Sequence, residues 1–102
     1  MDIEITLDDV KLIMGNRFER GFGIVTHSIY CTNCQNGYKG TMQIKKIWLN
    51  HLGDVVLDGS CDTCGHRVQR YMETGEDPES YEQAMAIREL KIEVLKDYKR
   101  RS

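Results

Sequence analysis

All four cysteines of the chain stand in two pairs with the same spacing, Cys31 with Cys34 and Cys61 with Cys64. The two residues between paired cysteines let the chain turn back, so that both sulfurs can face one ion at about 2.3 Å. Gly65 directly follows the second pair, where such a turn usually needs a residue with positive φ. These two hooks (residues 31–34 and 61–64) predict a tetrahedral metal site with the four cysteines as ligands.

Paired cysteines also occur as disulfides, as buried thiols and as redox CxxC motifs. The chain opens on Met1-Asp2-Ile3-Glu4, without the basic and apolar regions of a secretory signal, which favours a reducing, cytoplasmic location over structural disulfides. A redox CxxC normally lies at a helix start in a βαβ unit and needs no second pair. A structural metal is therefore the favoured interpretation. Zinc is the default ion, although iron bound as in rubredoxin has the same four sulfurs.

Size and charge limit the classes of protein. The chain has 102 residues, which fits one domain over residues 1–102. A chain of this length buries only a modest core, and a structural metal adds stability to such a fold. The formal net charge of −2 is not that of a protein that binds nucleic acid by bulk electrostatics. No apolar run is long enough to cross a bilayer, so no membrane partner is expected.

The N-terminal pattern changes period twice. Apolar and polar residues alternate over residues 2–7, which predicts a short strand with one buried face. Helical spacing follows, with Thr6 or Asp8 as its N-cap. Glycines at both ends of residues 21–23 predict a break, and the β-branched and aromatic residues of 24–30 predict a strand that leads into the first hook.

The middle of the chain predicts short strands around the hooks. Asn36 and Gly37 mark a turn after the first hook. Residues 41–49 have the longest strand pattern, and a bulge near Lys45 and Lys46 reconciles its two parities. The remaining elements are, in order, a loop at 50–54, a return strand at 55–57, a turn at Asp58 and Gly59 before the second hook, and a strand at 66–73.

Hook, strand hairpin, hook and strand in this order resemble the zinc ribbon over residues 29–73. The resemblance implies a small antiparallel sheet and a structural zinc ion. The first hook departs from the common ribbon pattern, because no proline follows its first cysteine and no glycine follows its second. The spacer between Cys34 and Cys61 is also long, and no subfamily is assigned. Zinc ribbons serve as nucleic-acid binders, protein-docking modules or structural appendices, so the resemblance does not choose a function.

Residues 77–101 predict a long helix, with Asp77 as its N-cap and Pro78 at its first position. Its apolar arc is roughly 220° wide, whereas one packing partner covers about 100°. Either the N-terminal segment and the sheet bury both apolar stripes, or one stripe pairs with another protein or a second copy, as an antiparallel homodimer. The stripes are Tyr81, Ala84, Met85, Ile92 and Leu95 on one side, and Ile87, Leu90, Val94 and Tyr98 on the other.

Cations and aromatic residues cluster near the hooks and would suit single-stranded nucleic acid, through phosphate contacts and base stacking. The competing interpretation is a solvated sheet face whose cations protect an edge strand, and the acidic net charge favours it. The cluster comprises Lys45, Lys46, Trp48, Arg67 and Tyr71, with Tyr38, Lys39 and Arg70 beside them.

His66 follows the second hook by two positions and is a candidate neighbour of the ion. Because four cysteines already fill a tetrahedron, a ligand role for His66 is not favoured. A closed site has no open position for water, and the sequence has no catalytic triad, P-loop or dinucleotide fingerprint. No enzymatic activity is expected.

These patterns predict an α+β fold with three parts: an N-terminal strand-helix unit at residues 1–28, a small antiparallel zinc-ribbon sheet at 29–73 and a long C-terminal helix at 77–101. The predicted function is a non-enzymatic protein-interaction module with structural zinc, self-associating through the helix. A nucleic-acid-binding accessory, resembling the zinc ribbons of transcription regulators, is the first alternative. A thiol redox protein is the second.

Overall fold

The computed structural model describes residues 2–34 and 39–101. Residues 100 and 101 are described by their backbone alone. The described chain forms one four-stranded antiparallel sheet, in the order β1-β2-β3-β4, and three α-helices. The elements are β1 (Ile3–Ile5), α1 (Leu7–Met14), α2 (Phe18–Thr26), β2 (Met42–Leu49), β3 (Val55–Cys61), β4 (Arg67–Met72) and α3 (Pro78–Arg101), with a 3-10 turn at Gly15–Arg17 between α1 and α2. The predicted α+β class, N-terminal strand-helix unit and long C-terminal helix are confirmed.

The two faces of the sheet differ in what covers them. Register partners lie on the same face, so Leu49, Val55 and Met72 form one row across β2, β3 and β4. This inner face joins a single buried cluster with Val10 and Ile13 of α1. The outer face carries the alternate residues, including the row Glu4, Trp48, Val56 and Tyr71.

Thr6, one of the two residues predicted as N-cap candidates, is the N-cap of α1. Its side chain accepts a hydrogen bond from the backbone N–H of Asp9, and the Asp9 carboxylate accepts from the backbone N–H of Thr6. This capping box ends β1 one residue before the helix. Leu7, predicted to continue the strand, is instead the first residue of α1 and is exposed.

The predicted break at residues 21–23 and the predicted strand at 24–30 are wrong. Both glycines lie inside α2, which continues to Thr26. Phe18 and Phe22 stack one helical turn apart, with ring centroids 4.8 Å from each other, and both pack against the core. Burial of these rings outweighs the low helix propensity of glycine. Of the predicted strand only Ile29 pairs, in an isolated bridge with Gly40 that places the first hook beside β2.

The longest predicted strand and its bulge are confirmed, since β2 has a register shift between Ile44 and Lys46. The predicted turn at Asp58 and Gly59 is wrong, because β3 runs unbroken to Cys61 and pairs with β2 and β4 on both sides. A Cβ on Gly59 would lie 1.9 Å from the backbone oxygen of Gln43. Gly59 therefore allows the close approach of β2 at the bulge.

The loop at 50–54 and the strand at 66–73 are confirmed. The Asn50 side chain accepts hydrogen bonds from the backbone N–H groups of Leu52 and Asp54, which closes the hairpin. The strand is β4. The predicted turn at Asn36 and Gly37 lies outside the described residues.

Helix α3 begins as predicted, and its first half packs on the N-terminal unit. The Asp77 carboxylate accepts from the backbone N–H of Glu79, as an N-cap does. Arg17 pairs with Asp77 at 2.8 Å, and Lys91 pairs with Asp9 at 3.2 Å. These ion pairs hold α3, from its N-cap Asp77 to Lys91, against the N-terminal unit. None of the described helices has the length and apolar content needed to cross a membrane.

Candidate metal centre

Each hook is placed by a neighbouring piece of the sheet. The first hook follows the Ile29 bridge, and the second begins at Cys61, the last residue of β3. The backbone N–H of Gly65 donates to the carbonyl of Cys61 at 2.8 Å, and Gly65 has a φ of 79°. The positive φ expected at Gly65 is thus confirmed, and it reverses the chain so that the sulfurs of Cys61 and Cys64 face the same point.

The four predicted ligands lie together. Their sulfurs are all within 4.8 Å of one another. The Cys31 and Cys64 sulfurs are 3.5 Å apart, and those of Cys34 and Cys61 are 3.8 Å apart. Four sulfurs at about 2.3 Å from a central zinc ion would be about 3.8 Å from each other. The donor set fits a tetrahedral ion, and all four cysteines are unbonded, since a disulfide needs sulfurs about 2.0 Å apart.

Burial divides the four ligands into two kinds. Cys31 and Cys61 are fully buried and belong to the core cluster, whereas Cys34 is partly buried and Cys64 is exposed. One sulfur from each hook is therefore held by core packing, and its partner closes the site from the surface. An ion bound here would tie the two hooks to each other and to the core at the same time.

Hydrogen bonds make the thiols of Cys34, Cys61 and Cys64 unequal. The Asn33 side chain and the backbone N–H of His66 donate to the Cys64 sulfur and lower its pKa to about 6. Backbone N–H groups of Cys64 and Thr63 lower the pKa of Cys61. The hydrogen bond that Cys34 shares with the Cys64 sulfur, together with burial, raises the pKa of Cys34 to about 12. Four thiolates need a cation between them, and its binding releases protons.

Asn33 was not singled out as a functional residue from the sequence, where it is only a turn residue inside the first hook. Its role follows from the folded arrangement, because its side chain crosses from the first hook to a sulfur of the second. Residues that donate to a metal ligand commonly tune the affinity of the metal. The only signal in the sequence was that Asn33 has an amide side chain and lies between the two cysteines of the first hook.

We expect Asn33→Ala to weaken zinc binding about tenfold at pH 7. Without the amide the pKa of Cys64 rises toward the ordinary value of 9.0, so that protons compete better with the ion at neutral pH. The difference in zinc affinity between variant and wild type should shrink as the pH rises toward that value. Competition with a chromophoric chelator between pH 6 and 9 measures this, with the exposed Thr63→Ala as control. Equal zinc affinities of Asn33→Ala and the wild type at every pH would contradict the role assigned to the Asn33 side chain.

His66 lies at the rim of the site. Its Nε2 is 3.5 Å from the Thr32 hydroxyl of the first hook, and its ring is not part of the metal-binding group found among the described residues. The backbone of His66 contributes more directly, through the N–H that faces Cys64 and the carbonyl that accepts from the Cys61 backbone. The structure thus places His66 beside both hooks, and the expectation that its ring is not a metal ligand stays a prediction.

The predicted cation and aromatic cluster is brought together in part. Lys46, Trp48, Arg67 and Tyr71 lie on the outer face, and the Lys46 ammonium is 5.6 Å from the centroid of the Trp48 ring. Arg67 makes a two-point ion pair with Asp58, at 3.1 and 3.3 Å. The aromatic row also contains Glu4. Lys45 lies at the bulge, and Arg70 lies on the inner face.

Comparison with protein-family models, with curated proteins and with solved structures gives no match to this chain.

Proposed function

We propose that this chain is a non-enzymatic zinc-binding protein whose structural ribbon supports a protein-interaction module, with a second copy of the same chain as its partner. The observation that carries the proposal is an uncovered apolar patch on the second half of α3. The metal site supplies the stability that this small fold needs, and the helix supplies the contact.

Zinc is the ion that best matches the donor set. Four thiolates close to tetrahedral separation suit its preferred geometry and leave no position for water or substrate. A closed site of this kind contributes to folding rather than to catalysis. Iron in the same four sulfurs remains the competing ion, and the mass of the bound metal separates the two.

The N-terminal unit covers about the first half of α3, as far as Lys91, which pairs with Asp9. Ala84 is completely buried, and Ser80 and Arg88 are buried on the same side. All described side chains over residues 93–99 are exposed. The helix has 24 residues and a length of about 36 Å, so its second half extends beyond the elements that cover the first. The N-terminal segment and the sheet therefore do not bury both predicted stripes.

The uncovered part carries four large apolar side chains, which we call the helix patch: Leu90, Val94, Leu95 and Tyr98. Their exposed fractions are 64%, 58%, 45% and 71%. Leu90, Val94 and Tyr98 recur every four residues, so they form a continuous stripe along one side of the helix. An apolar stripe of this kind on a surface helix is typical of a contact with another helix.

The geometry proposed for the second copy is an antiparallel pair of α3 helices related by a two-fold axis, in which the two helix patches contact each other. Glu93 and Lys96 lie on the polar side of α3, away from the patch, and pair with each other within one helix.

Native mass spectrometry tests both parts of the proposal in one spectrum. The expected species has two chains and two zinc ions. Loss of zinc from the spectrum would contradict the structural metal, whereas a single chain that keeps its zinc would contradict only self-association. Sedimentation equilibrium at high micromolar concentration serves as the check, because a strict monomer there excludes a homodimer.

Binding of single-stranded nucleic acid is the second candidate. The Lys46 ammonium over the Trp48 ring favours it, with Tyr71 on the same outer face beyond β3, since a cation next to an aromatic ring suits bases and phosphates. It ranks second because Asp58 neutralises Arg67 and Glu4 lies in the aromatic row. Binding of a single-stranded oligonucleotide that weakens with salt would distinguish this function from the first.

A further inference from the structure

Strand β4 is the longer of the two edges of the sheet. It has six residues and pairs only with β3 among the described residues, whereas the other edge, β1, has three. One side of β4 therefore presents backbone N–H and C=O groups for a further strand. Short edge strands resist such pairing, and β4 does not have this protection.

Arg70 makes this edge unusual. Its register partner is Leu57, so its side chain starts from the inner face at the border of the sheet. The side chain is partly buried, and its Nε is buried without a hydrogen-bond partner among the described residues. Arg70 also has no ion pair among the described residues. Arg67 lies on the same strand but on the opposite face, and it has both a hydrogen-bond partner for its Nε and an ion pair.

A buried guanidinium nitrogen without a partner is costly and is usually satisfied by an acceptor. An inward cation on an edge strand also opposes pairing between two copies of that edge. Pairing of two β4 strands would bring the Arg70 side chains of both chains to the same inner face of one short ladder, where like charges repel. The strand that fits this edge is therefore an acidic one from another protein.

From this combination we propose that the β4 edge binds an extended acidic segment of a partner protein by strand addition. The backbone of the segment continues the sheet beyond β4, and one of its carboxylates accepts hydrogen bonds from the Arg70 guanidinium. This surface is separate from the helix patch, so the inference does not depend on self-association through α3. It extends the interaction role to a second, chemically different partner.

The test is selection of random nine-residue peptides displayed on phage against the zinc-loaded full-length protein. Peptides selected on the wild type should be enriched in Asp and Glu, and these acidic residues should alternate with β-branched residues along the peptide. On Arg70→Gln the acidic enrichment should disappear, and a synthetic acidic peptide from the wild-type selection should bind at least tenfold more weakly. The matched control is Arg67→Gln, which removes the same charge from the other face of the same strand and should leave the selection unchanged.

Amide exchange measured by NMR with the synthetic peptide bound locates the contact. Protection should appear in β4, and a peptide with N-methyl groups at alternate positions should lose binding, because it cannot form the ladder. The proposal is overturned by peptides without acidic bias, by protection away from β4, or by equal binding to Arg70→Gln. Displacement of the peptide by single-stranded RNA, with shifts confined to the outer face, would also overturn it in favour of nucleic acid.

Discussion

Removal of the metal is expected to abolish the cooperative fold of the purified chain. A structural zinc ion contributes on the order of 10 kcal/mol to folding. A domain of this size has a net stability of about 5–15 kcal/mol. The ligands Cys31 and Cys61 belong to the core cluster, so the loss of the ion also leaves repelling or protonated sulfurs inside it. The metal-free chain should therefore lose most of its tertiary structure.

Circular dichroism and the fluorescence of Trp48, the single tryptophan, measure this loss during titration with a chelator. Cys61→Ser should behave like the chelated wild type, because it removes a buried ligand from the end of β3. Thr63→Ala is the matched control, since it changes an exposed side chain in the same hook and leaves all four sulfurs in place. Addition of zinc should restore the wild type and the control but not Cys61→Ser.

A metal-free chain that keeps a sharp thermal transition would contradict the structural role of the ion. This outcome would favour the thiol redox alternative, which requires that the reduced, metal-free protein stay folded. The two accounts also differ in their reaction with thiol reagents. Zinc-bound sulfurs should react slowly until the chelator is added, whereas redox cysteines should react and exchange disulfides without it.

The clustering of the four cysteines could be predicted from the sequence because the geometry of a hook is local. The two residues between paired cysteines, and at the second hook the following Gly65, determine locally where both sulfurs point. The N-cap at Thr6, the loop at 50–54 and the start of α3 at Pro78 were predictable for the same reason. Each depends on hydrogen bonds between residues only a few positions apart.

The errors occurred where distant residues decide the local structure. The glycines of α2 indicate a break, yet Phe18 and Phe22 hold the helix together by packing on a sheet formed much later in the chain. Asp58 and Gly59 are typical turn residues, but strands on both sides keep β3 extended through them. Neither the neighbour of Gly59 nor the packing of α2 can be derived from local spacing.

The residues to which we assign further roles by proposal could not be recognised in the sequence for a related reason. Asn33 acts on a sulfur that lies far along the chain, and the edge position of Arg70 depends on the order of strands in the sheet. The helix patch is an intermediate case. Its apolar pattern could be recognised from periodicity, whereas its exposure required the finding that the N-terminal unit covers only about the first half of α3.

Val94→Asp is expected to raise the dissociation constant of the homodimer at least about 100-fold. Val94 is central in the helix patch, and the two-fold axis places the new carboxylate in the interface twice, without a partner. Because Val94 is 58% exposed in one chain, the variant should keep its zinc and its helical content. Sedimentation equilibrium measures the dissociation constant. Ala86→Asp, an exposed change on the polar side of α3, is the control and should stay within about twofold of the wild type. A monomeric wild type would reject self-association through the helix patch, and the metal centre would remain unaffected by that result.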